Sequence, residues 1–225
     1  MCWDRDYEAH ERIWGEGPSE LAVAALKHLA AGASGDWLPQ LIDIGCGYGR
    51  DALYISERFR CGIVGIDLSP KAIEIASNAA RAAGTKNVTF RCCDFAELDS
   101  GAYDIVFLSN VYQILRKDER QTLLQAISRI LKPGGRLFLS TLSVRDPQHY
   151  GKGIPVAGDP NSFLEAKYVH LSSTEELVSD FALFVDIKEL YEHEYDEPRA
   201  TGEVHHHISW IMIGRRLRNM LPRRR

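Results

Sequence analysis

The chain has 225 residues, of which 45% are hydrophobic and 26% are charged, and its net charge is −4 at pH 7. This composition is typical of a globular protein and excludes the collagen, coiled-coil and disordered classes. The length fits one α/β domain with local additions. Because the net charge is negative, the protein as a whole does not attract nucleic acid or an anionic membrane, and we expect neither as a partner.

The cysteines and the start of the chain predict a location. Five cysteines are an odd number and none has CxxC spacing, so they favour buried thiols over a disulfide framework or a structural zinc site. The charged start lacks the apolar run of a signal peptide, and no segment approaches the roughly 20 apolar residues of a membrane span. We therefore predict a cytoplasmic protein. The sequence does not indicate the oligomeric state.

Two segments flank the main domain, which we predict to cover residues 38–215. Residues 1–37 form an amphipathic, aromatic-rich extension in which a helix begins at Pro18, and we interpret it as a helical extension or lid. Residues 216–225 form a basic tail. Such a tail either contacts RNA, lipid or another acidic partner, or is a solvated terminus, which is the commoner meaning.

Apolar runs and amphipathic segments alternate through the main domain. Segments such as "SPKAIEIASNAARAAG" and "KDERQTLLQAISRILKPGG" carry apolar residues at helical spacing. This alternation predicts βαβ units, and hence an α/β fold with a doubly wound, mostly parallel sheet. The closing strands 183–195 and 204–214 have no helix between them and predict an antiparallel hairpin. The other predicted strands are 40–46, 62–68, 88–94, 103–110 and 135–143.

Residues 144–171 depart from this alternation. They are rich in glycine and proline, and they are too many for an idle connection. We interpret this insertion as a lid or substrate loop.

A glycine-rich loop, "DIGCGYGR" from Asp43 to Arg50, follows the first strand and precedes a helix. Its glycines permit a tight turn and a close approach of ligand to backbone, and the helix start presents unpaired N–H groups. The spacing is GxGxG, whereas a dinucleotide fingerprint reads GxGxxG. The carboxylate of Asp43 suits an ammonium group and disfavours a pyrophosphate. We therefore expect a zwitterionic or cationic ligand.

Acidic residues also close the second and third strands. Asp67 lies 22 residues after Gly45, close to the spacing at which a carboxylate accepts hydrogen bonds from ribose hydroxyls. Asp94 is followed by Phe95, a pair suited to an adenine amino group and ring face. These positions predict a nucleoside ligand. The alternative is that both acids only cap the segments that follow them.

The ordered series "DIGCGYG", "GIDLSPKAIEIA", "CCDF", "YDIVFLSNVYQIL" and "LKPGGRLFLS" resembles the motifs of the class I S-adenosylmethionine-dependent methyltransferases. The resemblance covers residues 38–143 and implies a Rossmann-like, seven-stranded sheet whose last strand is antiparallel. It implies S-adenosylmethionine as cofactor and S-adenosylhomocysteine as product. The cofactor-binding residues that we expect are Asp43, Gly45, Cys46, Gly47, Arg50, Asp67, Leu68, Asp94, Phe95 and Asn110.

Some of these roles come from the resemblance alone. It implies that Gly45 and Gly47 contact the methionyl end and that Asn110 lies near the transferring methyl group. For Arg50 we keep two alternatives, a contact with the methionyl carboxylate or an anionic acceptor, and a surface salt bridge. "GCGYGRDALYIS" and "YGKGIPVAGDPNSF" are similar to tellurite- and thiol-type small-molecule methyltransferases.

The acceptor is the least readable part of the function. Family members that methylate nucleic-acid amino groups carry Asn/Asp-Pro-Pro-Tyr after strand four, whereas this chain has "SNVY". A thiolate or metalloid acceptor needs no catalytic base, but an oxygen or nitrogen acceptor benefits from one. No base is assigned, and the candidates are Tyr112, His149, Tyr150, His170, His205 and His207.

Three consecutive histidines, "HHH" at 205–207, begin the last predicted strand. Because side chains alternate along a strand, His205 and His207 share one face and His206 the other, so the three cannot hold one metal ion. A metal would need a further ligand such as Glu203, His149 or His170, and we expect no metal site. The sequence does not show whether this strand end faces the methyl group.

The sequence thus predicts an S-adenosylmethionine-dependent methyltransferase with a small-molecule acceptor. We expect the N-terminal extension and the insertion to close over the acceptor. One alternative is a non-catalytic protein that keeps the nucleoside site, since fold does not imply function. The other is a nicotinamide-dependent oxidoreductase, which Asp43 and the missing GxxG spacing disfavour.

Overall fold

A computed structural model describes residues 3–30, 38–198 and 204–218. The helices are α1 (Asp4–Ala9), α2 (Glu20–Ala30), α3 (Arg50–Arg58), α4 (Pro70–Ala82), α5 (Lys117–Ile130) and α6 (Thr174–Phe181). The strands are β1 (Gln40–Ile44), β2 (Gly62–Asp67), β3 (Val88–Cys92), β4 (Tyr103–Ser109), β5 (Leu131–Leu142), β6 (Ile154–Pro155), β7 (Ser162–Leu164), β8 (Tyr168–His170), β9 (Val185–Pro198) and β10 (Val204–Arg216).

Seven strands form the main sheet in the order β3-β2-β1-β4-β5-β10-β9. The pairs among β1 to β5 are parallel, whereas β10 runs antiparallel to both of its neighbours. The predicted α/β fold with a mostly parallel, seven-stranded sheet and an antiparallel C-terminal strand is confirmed. The predicted closing hairpin is confirmed, because β9 and β10 pair antiparallel. Among the described residues, no helix lies between these two strands.

The crossover helix α4 shows how local sequence sets an element. Ser69 precedes it and its hydroxyl accepts a hydrogen bond from the N–H of Ala72 at 3.1 Å, while Pro70 occupies the first turn. Its buried residues Ala72, Ala76 and Ala80 recur every fourth position and therefore lie on one face. Small side chains on that face let the helix approach the sheet closely.

Each face of the sheet carries its own hydrophobic cluster. One cluster joins strand residues such as Val106 and Leu139 to Leu123 of α5 and Phe181 of α6. The other joins strand residues such as Phe107 to α2 and α3. Helices thus cover both faces, as a doubly wound sheet requires.

The N-terminal extension consists of two parts that pack in different places. Its helix begins at Glu20, two residues after the predicted start, because the Ser19 hydroxyl accepts from the N–H of Ala22 at 3.1 Å and caps the first turn. The apolar side of α2 is part of the core, where Leu21 and Leu29 are fully buried. The segment before α2 instead lies at the carboxyl ends of the strands. Residues 31–37 lie outside the described part of the chain.

The insertion at 144–171 contains regular structure that a loop interpretation omits. Its strands β6, β7 and β8 form a separate three-stranded antiparallel sheet. Helix α6, which follows, was not predicted either. Strands of two or three residues carry almost no periodic signal, which is why the sequence pattern missed them.

The structure describes only the start of the predicted basic tail. Arg216, the first residue of the predicted basic tail, ends strand β10, and residues 219–225 lie outside the described part. Among the helices in the described ranges, none has the length and apolar character needed to cross a bilayer.

We predict that Leu29→Ala destabilises the protein by about 2–5 kcal/mol, because it leaves a cavity in the core beneath α2. Urea unfolding followed by circular dichroism measures this loss. Leu183→Ala is the matched control, since Leu183 is 65% exposed and its truncation should cost under about 0.5 kcal/mol. Equal effects of the two substitutions would show that α2 is not part of the core.

Candidate functional site

The expected cofactor residues gather at one edge of the sheet. Parallel strands present their carboxyl ends at the same edge, so the segments after β1, β2, β3 and β4 meet there. Strand β10 runs the other way, so its start lies at this edge too. The register pairs Ser209 with Leu142, the last residue of β5, and therefore places His207 just beyond the end of β5. The histidine run thus lies on the same edge as the glycine loop.

The glycine loop depends on its three glycines. Gly45, Gly47 and Gly49 have φ values of 69°, 53° and 79°, a region that favours glycine. A Cβ on Gly45 would lie 2.4 Å from Val111 Cγ2, and one on Gly47 would lie 2.6 Å from Tyr7 Oη. Larger residues are therefore excluded by space as well as by backbone conformation.

Asp43 lies in β1 below the loop with 3% of its surface exposed. Its Oδ2 makes no hydrogen bond to any described residue. Burial, followed by the nearby carboxylates of Asp51 and Asp67, raises the pKa of Asp43 well above its ordinary value. A buried carboxylate oxygen without a donor fits a ligand that brings an ammonium group, directly or through water. The loop therefore fits the methionyl end of S-adenosylmethionine.

Asp67 joins the ends of β2 and β1. Its Oδ2 accepts from the N–H of Gly47 at 3.0 Å, and its Oδ1 accepts from the N–H of Ser69 at 2.9 Å. Burial raises the pKa of Asp67, although these backbone donors act to lower it. The next residue, Leu68, is 65% exposed. An exposed leucine beside a half-buried carboxylate suits a ligand with an apolar face and hydroxyl donors, such as a nucleoside.

Asp94 and Asn110 also take up defined positions. Asp94 caps a short 3-10 turn, where its Oδ1 accepts from the N–H of Ala96 at 2.9 Å. Capping, the alternative weighed for the strand-end acids, is thus present at Asp94, whereas Ser69 caps the helix that follows Asp67. Asn110 has a left-handed φ of 59°, and its N–H donates to the carbonyl of Ser140 at 3.1 Å. This bond fixes the turn after β4 against β5.

The N-terminal segment, part of the extension interpreted as a lid, lies against the glycine loop, a contact that the sequence did not specify residue by residue. Tyr7 is 4% exposed, and burial followed by the charges of Asp67 and Cys46 raises its pKa. Asp4 Oδ1 accepts from the Ser69 hydroxyl at 2.5 Å and from the N–H of Lys71 at 3.2 Å. The aromatic content of residues 1–37 was the one sequence signal for this contact.

Arg50 and Tyr48 hold the same segment from the helix side. The Arg50 guanidinium donates to the carbonyl of Trp14 at 2.6 Å and lies 3.3 Å from Asp51 Oδ1. The Tyr48 hydroxyl donates to the carbonyl of Gly15 at 2.7 Å. Arg50 thus forms a salt bridge, but with a buried carboxylate and not at the surface, and its contact with a ligand carboxylate stays a prediction.

The insertion reaches this N-terminal segment through Lys167. Its ammonium lies 2.5 Å from Asp6 Oδ2 and 3.8 Å from the centre of the Trp3 ring. The insertion is anchored in turn by Asp159, which Arg120 of α5 contacts at 2.7 Å. Burial acts to raise the pKa of Asp159, but hydrogen bonds from Arg120 and Tyr168 lower it to about 2.

Three of the catalytic candidates, Tyr112, Tyr150 and His170, contact other residues of the protein. Tyr112 is fully buried in the core, where its hydroxyl donates to Asp180 and burial raises its pKa. His170 is also fully buried, 2.9 Å from both Ser162 Oγ and Glu176 Oε1. Tyr150 is 47% exposed and packs on Phe163. Each of the three side chains thus has a contact within the protein, although His170 Nε2 lies near Glu176 without forming a hydrogen bond.

The remaining candidates, His149, His205 and His207, lie together. The His207 ring centre is 5.5 Å from that of His149 and 6.0 Å from that of His205. His207 Nδ1 is 3.0 Å from Asp146 Oδ2. Asp146 is fully buried, and the sequence analysis did not single it out. The aspartate before a proline in "RDPQH" was the available signal, because such residues often begin turns.

Comparison with known proteins points to methyltransferases. Residues 41–135 match the family model described as a methyltransferase domain. The chain is 29% identical over 134 residues to the 2-heptyl-1-hydroxyquinolin-4(1H)-one methyltransferase of Mycobacteroides abscessus, covering 59% of each protein. These matches, together with the methyltransferases among the solved structures, support a class I S-adenosylmethionine-dependent methyltransferase. This confirms the resemblance, and with it the predicted family cofactor.

Solved structures show the same fold. One, described as the conversion of a disulfide bond into a thioacetal group during echinomycin biosynthesis, has a TM-score of 0.75 at 23% identity, covering 97% of this chain and 91% of the other. The cyclase SpnF has a TM-score of 0.64 at 20% identity, covering 87% of this chain and 82% of the other. The matches to curated relatives span 27% to 59% of those proteins' own lengths.

We predict that Asp43→Asn changes how stability depends on pH. The folded pKa of Asp43 is raised, so the folded protein retains this proton at pH values where the unfolded chain has lost it, and the contribution of Asp43 to stability falls as pH rises above about 4. Asparagine carries no such charge. The variant without ligand should therefore gain stability relative to the wild type as pH rises, as measured by urea unfolding between about pH 5 and 8.

The exposed Asp99→Asn variant serves as the control and should keep the wild-type slope of stability against pH. If the stability of Asp43→Asn changes with pH as it does in the wild type and in Asp99→Asn, the prediction is wrong.

Proposed function

We propose that this protein transfers the methyl group of S-adenosylmethionine to a small-molecule acceptor, as its own activity. The observation that carries the proposal is the buried Asp43 oxygen without a hydrogen-bond donor beneath a loop of three glycines at positive φ. Family membership supplies the ligand that brings such a donor. When bound, S-adenosylmethionine supplies an electrophilic methyl group on a sulfonium.

On the donor side, the chain's own residues position the cofactor. The loop that contains Gly45 and Gly47 contacts the methionyl end, and Asp43 accepts from its ammonium, directly or through water. Asp67 accepts from ribose hydroxyls and exposed Leu68 covers an apolar face, while Asp94 and Phe95 contact adenine. Because methyl transfer is an in-line displacement, fixing the donor in one orientation supplies much of the catalysis.

On the acceptor side, the segment before α2 and the insertion lie over the same edge of the sheet. Lys167 joins them through Asp6 and Trp3. We propose that they exclude water and enclose the acceptor. The M. abscessus relative is named for a hydroxyquinolone, which supports an aromatic, small-molecule substrate class. The narrower similarity to tellurite- and thiol-type enzymes stays a prediction.

The other proposed properties follow from composition. The net charge of −4 disfavours a nucleic-acid substrate. Four cysteines in the described ranges are free thiols, which supports a reducing location such as the cytoplasm.

A non-catalytic binding protein is the second candidate. SpnF is named a cyclase although it has this fold, which illustrates that the fold alone does not determine the reaction. Production of S-adenosylhomocysteine from S-adenosylmethionine in a panel of phenols, heteroaromatic amines and thiols separates the two candidates. Turnover of any member by the wild type supports the enzyme, whereas binding without turnover across the panel favours the binding protein.

We predict that Asp67→Asn weakens binding of S-adenosylhomocysteine by at least about tenfold. The amide replaces one acceptor oxygen by a donor and loses the charge, so contacts worth about 1–3 kcal/mol are removed. Isothermal titration calorimetry measures the change. Asp99→Asn, on the exposed surface, should bind like the wild type. The proposal is overturned if the wild type binds neither S-adenosylmethionine nor S-adenosylhomocysteine at high micromolar concentration.

We predict that Lys167→Ala speeds dissociation of S-adenosylhomocysteine by about two- to fivefold. It removes an exposed ion pair and a cation–π contact, each worth up to about 1 kcal/mol, that join the insertion to the N-terminal segment. Stopped-flow dissociation gives the rate. Lys152→Ala, an exposed lysine in the same insertion, is the matched control. If both variants release the product at the wild-type rate, Lys167 does not help to close the site.

A further inference from the structure

Three side chains with metal-ligand chemistry come together beyond the end of β5. Asp146, His149 and His207 each offer one ligand atom, and these atoms all lie within 4.8 Å of one another. Asp146 and His207 are buried, and His149 is half-buried. Two imidazoles and one carboxylate suit divalent transition metals. We propose that this cluster binds a divalent transition-metal cation such as Zn²⁺.

Backbone N–H groups orient the Asp146 carboxylate without any contribution from the histidine side chains. Asp146 Oδ1 accepts from the N–H groups of Gln148 and His149, both at 3.0 Å. Asp146 Oδ2 accepts from the N–H of Ile208 at 2.9 Å. Hydrogen bonds of this kind hold ligand carboxylates in metal sites, where they fix the direction of the remaining lone pair. Here that lone pair points to His207.

The distance between the nearest atoms of Asp146 and His207 is close to that between two ligands of one metal ion. His207 Nδ1 lies 3.0 Å from Asp146 Oδ2. Two ligand atoms at about 2.0–2.1 Å from a tetrahedral zinc ion lie about 3.3 Å apart. A cation would fit between the two atoms if they separated by a few tenths of an ångström. The proton on His207 Nδ1 would then move to Nε2, so that Nδ1 could bind the cation.

The third ligand is placed by the same turn. His149 lies three residues after Asp146, and its own N–H donates to that carboxylate. Its ring is nearly parallel to that of His207, with an interplanar angle of 17°. Because His149 is half-buried, the cation keeps one side open. Water or an anionic oxygen of the acceptor fills the open positions, a step that rests on the proposed function.

The neighbouring His206 belongs to a different environment. Its side chain lies on the other face of β10, with Nδ1 2.9 Å from Asp196 Oδ1. It is 46% exposed. His206 therefore provides a matched control that tests whether cations bind to the surface of the histidine run.

The test is titration of the full chain, purified without a histidine tag, with Zn²⁺ in a calorimeter. We expect one site in the wild type, and affinity at least about tenfold lower in His149→Ala and in Asp146→Asn. His206→Ala should bind like the wild type. His149 is half-exposed, so its truncation should leave the fold intact, as circular dichroism checks.

Titration of each sample with S-adenosylhomocysteine separates this inference from the proposed function. Normal nucleoside binding without a Zn²⁺ site in the wild type overturns the metal site alone. Wild-type Zn²⁺ affinity in His149→Ala and Asp146→Asn also overturns it, as does loss of binding in His206→Ala, which would place the cation on the strand surface. A protein that binds Zn²⁺ as expected but no cofactor would overturn the proposed function and leave the metal site in place.

Discussion

The hydrogen bond from the Gly47 N–H to the Asp67 carboxylate, at 3.0 Å, is the contact on which the rest of the candidate site depends. It joins the end of β1 to the end of β2, two strands whose parallel pairing already brings their carboxyl ends together. The bond needs Gly47 at positive φ, where a Cβ would collide with Tyr7. One backbone donor thus fixes the glycine loop, an acid of the neighbouring strand and the surface on which the N-terminal segment packs.

The parts of the fold that the sequence predicts are those with strong local signals. Strands buried on both faces appear as apolar runs, and crossover helices such as α4 carry a cap, a proline at the first turn and small residues on one face. Glycines and acids at strand ends are equally local. The order of these elements along the chain then determines which ends meet, because parallel strands share one edge.

The acceptor side cannot be predicted from local signals, because it is built from contacts between segments that are distant in the sequence. Strand β6 has two residues, β7 and β8 have three each, and their pairing leaves no periodicity to detect. Lys167 contacts Asp6 across 161 positions of the chain, and Asp146 contacts His207 across 61. Nothing in either local sequence specifies these pairs. The histidine run was visible, but its location at the site edge follows only from the register of β10 on β5.

Charge links the stability of the site to its occupancy. Asp43, Asp51 and Asp67 lie close together, and burial raises the pKa of Asp43 and of Asp67. Burying three carboxylates together costs free energy that the one nearby cation, Arg50, offsets only in part, so the ligand-free protein bears that cost in its folded state. A ligand with an ammonium group and a sulfonium group offsets it, whereas a neutral product without the sulfonium offsets less. The same carboxylates therefore bind the cationic donor more strongly than the neutral product.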